Sequence, residues 1–157
     1  LGTTQGSRQM KRAARWIDLA AVLAIIWAII VALPLSIWFE PGSVVVASTD
    51  HDGQPALVVY DRKIKRRVFI SYAAGIHRIQ PDTISCEAEG GPHWYDPDRK
   101  LPAPEEMTLA WWAPGDPRCS KLPPGEYIME TCWTAQISSL LPEKAICVQS
   151  NPFTIRE

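Results

Sequence analysis

Hydrophobic positions follow two different patterns along the chain, and the first is an unbroken apolar block. From Leu19 to Phe39 no residue is charged, and Ser36 is the only polar side chain. A helix of this length spans roughly 30 Å, the thickness of the hydrocarbon core of a bilayer. A core helix of a soluble protein would carry a polar stripe. The block therefore predicts a transmembrane helix over residues 17–39, with Pro34 kinking it or loosening its last part.

Tryptophans recur at intervals of eleven residues through this block. Eleven residues make about three helical turns, so Trp16, Trp27 and Trp38 are expected to share one helix face. Trp16 and Trp38 would then anchor at the two membrane interfaces, with Arg12 and Arg15 beside the first of them. Trp27 would lie near the bilayer centre, against lipid or a neighbouring helix.

Alanines are spaced regularly between the tryptophans, at Ala20, Ala24, Ala28 and Ala32. Small residues at this spacing let membrane helices approach closely. The alternative is that the spacing arose by chance, because alanine is common in membrane helices. The association hypothesis gives the helix a face for other membrane-protein subunits or a second copy of the chain.

Charge predicts the orientation of the helix. Basic residues precede the block and Glu40 follows it, so the positive-inside rule places residues 1–16 in the cytoplasm and residues 40–157 outside. The basic run that starts at Arg62 lies beyond the roughly 15–20 residues over which this bias counts. A cleaved signal peptide is the alternative, but the apolar run is longer than a usual h-region and no A-x-A site follows it.

After Phe39 the pattern changes to short, alternating, β-branched runs separated by turn formers. Most of the 14 prolines and nine glycines lie in this region. Such a pattern predicts an antiparallel β-sandwich of about seven strands. The predicted strands cover residues 43–49, 56–61, 67–73, 83–88, 107–112, 126–135 and 144–149, and "PFTIRE" continues the last of them after a bulge at Ser150–Asn151.

The segment "LPPGEYIMETCW" resembles the turn and strand that open a late strand in immunoglobulin-like domains. Leu122, Gly125 and Tyr127 hold the positions of the leucine, glycine and tyrosine of that motif. No cysteine lies two residues after the tyrosine, so the resemblance implies an immunoglobulin-like sandwich in shape but not family membership. The closing "GEY…TCW…ICVQSNPFTI" also resembles the end of small membrane-anchored proteins of tailed phages and prophages.

All four cysteines lie in the predicted external region, which fits an oxidising compartment. Cys132 and Cys147 fall opposite each other on a predicted hairpin, which favours a disulfide between them. Cys86 and Cys119 would then form a second disulfide that encloses a long loop. Four cysteines allow three pairings, and free buried thiols remain the other alternative.

Residues that could carry chemistry are few. Beside His51 the segment "TDHDG" has part of a calcium loop but lacks its further ligands, and no zinc spacing surrounds His77 or His93. Nucleophile-elbow, phosphate-loop and dinucleotide motifs are absent from the sequence. With a net charge of -1, nucleic acid is not an expected partner. The sequence therefore predicts no catalytic residue, no metal site and no cofactor.

Two groups of residues are candidates for an interaction surface. A basic run could bind lipid phosphates or an acidic partner, although a solvated hairpin tip explains it equally well. Aromatic residues form the other group, and tryptophan is enriched in binding hot spots. One aromatic pair lies on the predicted long loop. The other pair is two adjacent tryptophans on a predicted strand, which cannot both face the core. These residues are Arg62, Lys63, Lys65, Arg66 and Arg67, and Trp94, Tyr95, Trp111 and Trp112.

These patterns predict a non-enzymatic protein with membrane lipid and other membrane-protein subunits as partners. The alanine face and the aromatic surface would hold it, as a structural or accessory subunit, in an envelope or virion assembly. One alternative is an anchored carbohydrate- or ligand-binding domain that uses the loop from Trp94 to Asp98. Another is a membrane-tethered hydrolase with an unrecognised site.

Overall fold

The computed structural model describes residues 4–48, 57–60, 62–81, 83–98, 106–109 and 116–156. The chain divides into two compact units, Leu1–Pro34 and Leu35–Glu157. The first unit contains one long helix, and the second, called the β unit below, is built from antiparallel strands. The prediction of a mainly β fold preceded by one apolar helix is confirmed.

The helix α1 spans Thr4–Ala32. Within it, the 18 residues from Arg15 to Ala32 are apolar enough to cross a membrane, and none of them is buried. The Leu33 N–H still donates to the Ile29 carbonyl at 3.1 Å, and the helix stops there. Pro34 ends the helix because it has no N–H and disfavours helical backbone at the residue before it.

The last part of the predicted transmembrane segment 17–39 is therefore wrong. Leu35–Ile37 form a single 3-10 turn, and Phe39 begins the first strand. Leu35 and Phe39 are buried in the core of the β unit, where Phe39 has no exposed surface. Trp38 belongs to this unit, so it does not continue the helix face of Trp16 and Trp27.

Antiparallel strands make up the β unit, and two of them run well past their predicted ends. They are β1 (Phe39–Glu40), β2 (Val44–Val46), β3 (Leu57–Tyr60), β4 (Lys63–Ile64), β5 (Val68–Arg78), β6 (Thr83–Tyr95), β7 (Glu106–Thr108), β8 (Gly125–Gln136), β9 (Lys144–Gln149) and β10 (Phe153–Ile155).

The larger sheet has the order β10-β8-β5-β6, and β9 pairs with the same edge of β8 as β10 does. Between β9 and β10 the chain bulges as predicted. There the Ser150 N–H donates to the Met129 carbonyl at 2.8 Å, and the Met129 N–H donates to the Ser150 hydroxyl at 3.0 Å. The serine side chain thus satisfies the backbone group that the bulge would otherwise leave unpaired.

A second sheet has the order β2-β3-β7, and β1 and β4 form a separate pair. The Asn151 side chain joins the two larger sheets, because it accepts from the N–H and donates to the carbonyl of Val46, both at 3.0 Å. The Thr154 N–H also donates to the Ser48 hydroxyl at 3.0 Å. Since β3 and β5 lie in different sheets, the basic segment between them is not the hairpin tip considered above.

The hydrophobic core lies between the two larger sheets. Alternate residues of β8 point into it, as a period of two requires. Trp133 packs against Phe39 with ring centroids 5.9 Å apart. Thr131 is the polar member of this inward row, fully buried, and its hydroxyl has no hydrogen-bond partner within the described part of the chain. The core also includes Val44, Val46 and Leu109 on the side of the smaller sheet.

Candidate interaction surface

Two disulfides fix the β unit in the pairing that the sequence favoured. Cys132 and Cys147 are directly opposite on β8 and β9, with Cα atoms 4.0 Å apart. Cys86 on β6 joins Cys119, which lies in a 3-10 turn at Pro117–Ser120. The second disulfide is buried, whereas Cys147 is exposed.

The helix α1 presents its candidate packing face to the surroundings. Ala20, Ala24, Ala28 and Ala32 are all exposed, as are Trp16 and Trp27. Arg15 is exposed as well, while Arg12 belongs to the part of α1 whose side chains lie outside the described residues.

The basic segment lies directly beside the residues that follow α1. The Trp38 carbonyl accepts hydrogen bonds from the N–H groups of Lys65 at 2.9 Å and Arg66 at 3.1 Å. Next to it, Phe39 pairs with Ile64 and Glu40 with Lys63 in the β1–β4 register. This non-local contact has no local sequence signal. We call the end of the β unit at which the chain arrives from α1 the proximal end.

The basic side chains of this segment are exposed and differ in their contacts. The Lys65 amine forms an ion pair with the Glu40 carboxylate at 2.9 Å, and its hydrogen bond and charge lower the pKa of Glu40. The Arg67 guanidinium lies over the Trp94 ring, 4.6 Å from its centroid. Trp94 in turn packs against Phe69 at 5.0 Å, and 56% of its surface is exposed.

Arg62 and Tyr95 do not belong to an exposed surface, which corrects the sequence prediction. Tyr95 ends β6 with only 3% of its surface exposed, and the half-buried Arg62 lies 5.5 Å from its ring centroid. Burial raises the pKa of the Tyr95 hydroxyl, and the charge of Arg62 partly offsets this effect. The predicted loop after residue 88 is strand as far as Tyr95, so Trp94 is held on a sheet.

A hydrophobic residue projects from the same proximal end. The β8–β9 hairpin turns at residues 137–143, and its tip carries Leu140 with 83% of its surface exposed. Because Gln136 at the end of β8 is paired with Phe69 at the start of β5, this tip lies at the end where the chain arrives. The Leu140 N–H bonds to the Ser138 hydroxyl at 3.3 Å, which holds the turn.

The outer face of the larger sheet carries an acidic groove that the sequence analysis missed. Gly75 on β5 is flanked by Glu87 on β6 and Glu130 on β8, and Glu89 and His77 line the same shallow groove. The alternation of glutamates at positions 87 and 89 was the available signal for this face. Across the described ranges, no cluster of three histidine, cysteine or acidic residues is placed to hold a metal ion.

Asp116 lines a second depression on the other side of Glu87 and Glu89, together with Arg118, but its carboxylate is already engaged. It accepts from the Arg118 guanidinium at 2.7 Å and from the Glu87 N–H at 3.2 Å. These bonds, above all the one from the Arg118 side chain, lower the pKa of Asp116 far below its usual value. Asp116 also caps the 3-10 turn that carries Cys119, so its role is structural.

The remaining predicted residues are scattered. His93 is exposed on β6, and His77 is half-buried on β5. His51, Trp111 and Trp112 lie outside the described residues. The residues brought together at the proximal end are thus Lys63, Lys65, Arg66, Arg67, Trp94 and Leu140.

No protein-family model matches the chain, and no curated protein or solved structure matches it either.

Proposed function

We propose that the chain is a single-pass membrane protein whose immunoglobulin-like domain serves as a non-enzymatic structural or accessory subunit of an envelope or virion assembly. The observation that carries this proposal is α1, whose 18 residues from Arg15 to Ala32 form a mainly apolar stretch in which none of them is buried. At about 1.5 Å per residue they extend roughly 27 Å, close to the hydrocarbon thickness of a bilayer. Exposure of so large an apolar surface to water is unfavourable, and contact with lipid or with a partner helix removes it from water.

The strand order supports the immunoglobulin-like part of the proposal. The order of β2, β3 and β7 is compatible with strands A, B and E of the immunoglobulin sandwich, and that of β10, β8, β5 and β6 with strands G, F, C and C′. A tyrosine corner is a further hallmark, and Tyr127 on β8 bonds to the Pro123 carbonyl four residues upstream. Neither disulfide joins β3 to β8, so the cystine of antibody domains is not part of this likeness.

The location of the β unit outside the cytoplasm is supported by its chemistry. Both disulfides lie in the β unit, and disulfides persist in oxidising compartments. The basic residues that precede the apolar block favour a cytoplasmic N-terminus by the positive-inside rule. A signal sequence has the same charge pattern, so retention of α1 in the mature protein is the first thing to measure.

Helix association can be tested on the full chain in a mild detergent. Ala24→Leu and Ala28→Leu together fill the small-residue face and are expected to dissociate the native complex or oligomer, as measured by size-exclusion chromatography with light scattering. Val22→Phe is the matched control, because position 22 lies about 200° from Ala20 and Ala24 around the helix. Association that survives the double substitution, or is lost equally with the control, rules out packing through this face.

A further inference from the structure

We propose that the proximal end of the β unit is a docking surface for anionic phospholipid headgroups. In this arrangement Lys63, Arg66 and Arg67 contact phosphates, while Trp94 and Leu140 enter the interfacial layer. The inference rests on the proposed membrane anchoring by α1, and it adds a second contact with the membrane made by the folded unit itself.

Three basic side chains at the proximal end form no ion pair within the described residues, and the acidic residues Asp96, Asp98 and Glu143 lie at the same end. Lys63, Arg66 and Arg67 are exposed, and none of the carboxylates in the described ranges forms an ion pair with them. Lys65 is the exception, since Glu40 neutralises it. Clustered basic side chains next to a membrane anchor are attracted by the negative potential of anionic lipids.

Two exposed hydrophobic side chains accompany these charges. Trp94 is held on β6 by contact with Phe69, and its ring also carries the Arg67 guanidinium. Tryptophan is enriched at membrane interfaces because one part of the ring is apolar and its N–H remains near polar groups. Leu140 projects from a hairpin tip at the same end, where insertion would remove its apolar surface from water. Basic and large apolar residues side by side favour lipid over a purely acidic protein partner.

The short chain segment between α1 and the β unit strengthens a weak attraction of the basic segment to lipid. Trp38, whose carbonyl is bonded to Lys65 and Arg66, is only four residues after Pro34 in the chain. Four residues reach at most about 14 Å when fully extended. The basic segment is therefore bonded to a residue that a short stretch of chain connects to the proposed anchor, and linkage of this kind raises the effective concentration of the lipid surface.

Three glutamates on the outer face of the larger sheet favour the same orientation. Glu87, Glu89 and Glu130 lie together on the outer face of the larger sheet. An anionic membrane repels this face, which disfavours the β unit lying flat on it. The opposite, distal end carries the exposed Ile84 near Arg78, and it provides a second position at which contact with lipid can be measured.

The test uses the full chain in lipid nanodiscs with an environment-sensitive fluorophore on a single introduced cysteine. All four native cysteines are in disulfides, so the added thiol is the only one to react. Ser139→Cys reports on the hairpin tip while keeping Leu140, and Thr83→Cys reports on the distal end. We expect the probe at 139 to shift its emission to shorter wavelength in discs containing phosphatidylglycerol but not in pure phosphatidylcholine. The probe at 83 should not respond.

Two perturbations make the test specific. Lys63→Gln, Arg66→Gln and Arg67→Gln together should abolish the shift at 139, as should 1 M salt, at which the Debye length is about 3 Å. A shift independent of lipid charge, or retained after all three substitutions, would overturn the proposal. A shift at 139 that grows with protein concentration in detergent alone would overturn it in favour of a second copy. Failure of the chain to co-elute with the discs would instead refute anchoring by α1.

Discussion

The hydroxyl group of Tyr127 donates a 2.6 Å hydrogen bond to the carbonyl oxygen of Pro123, four residues earlier. The ring of Tyr127 is buried and stacks on Phe153 at 5.8 Å, so one side chain fixes both the turn before β8 and the pairing of β10. This hydrogen bond ties the turn before β8 to a side chain of the core.

Tyr127→Phe tests the importance of this bond. The substitution keeps the ring but leaves the Pro123 carbonyl without its donor, and we expect a loss of about 1–2 kcal/mol of stability. Urea denaturation of the full chain in detergent, followed by tryptophan fluorescence, measures the change. Phe153→Leu, which alters the stacked ring but not the bond, should destabilise through packing alone. An unchanged midpoint for Tyr127→Phe would show that the bond adds nothing.

Thr131→Val is expected to stabilise the protein. Thr131 is fully buried in β8, and its hydroxyl lacks a hydrogen-bond partner among the described residues. Valine has nearly the same shape without the buried polar atom, so we expect a gain of about 1 kcal/mol in the free energy of unfolding. Thr134→Val on the outward row of β8 serves as the control and should change stability little. A destabilised Thr131→Val variant would mean that the hydroxyl is bonded after all.

The two disulfides should differ in their contribution to stability. They join residues 33 and 15 positions apart. Loop-closure entropy predicts losses of about 4 kcal/mol for replacing Cys86 and Cys119 by serine and about 3 kcal/mol for replacing Cys132 and Cys147. Thermal unfolding of the two double variants measures the difference. The opposite ranking would contradict an entropic origin for these contributions.

Stability should fall in alkaline solution. Burial raises the pKa values of Tyr72, Tyr95 and Tyr127, so the fold favours the neutral phenols. A group whose pKa is higher in the folded state stabilises fully below its unfolded pKa, which is about 10 for tyrosine, and this contribution is lost as the pH rises through the folded value. Denaturation midpoints measured from pH 8 to 11 should decline above about pH 10. The decline should be shallower in Tyr95→Phe, and an equal slope would exclude Tyr95 as a source.

Local patterns in the sequence predicted the features that depend on neighbours along the chain. Short runs of strand-forming residues on either side of a turn located β8 and β9, and their hairpin placed Cys132 opposite Cys147. In contrast, the glycines and proline of "EGGPHW" hid the second half of β6, because turn-forming residues in a long strand look like a loop. The apolar residues Leu35 and Phe39 looked like lipid-facing residues, since burial in a protein core and in a bilayer select the same side chains.

The sequence predicted some residues of the candidate surface but not the contacts between them. The basic run and Trp94 stood out by composition, but their contact with each other and with Trp38 depends on pairing between distant segments. Tyr95 and Arg62 were assigned to the surface because neighbours on a strand or segment cannot be sorted into inside and outside before the register is known.

The side-chain amide of Asn151 forms hydrogen bonds with both the N–H and the carbonyl of Val46, a residue 105 positions earlier in the chain. Sheet pairing over so large a separation forms late, because the whole intervening loop must be closed first. When β2 through β8 have left the ribosome, the two sheets therefore still lack the hydrogen bonds between Asn151 and Val46 that join them. Removing the last seven residues should leave the nascent domain open, and the exposed edge of β8 would then be available to chaperones or to a donor strand from another chain.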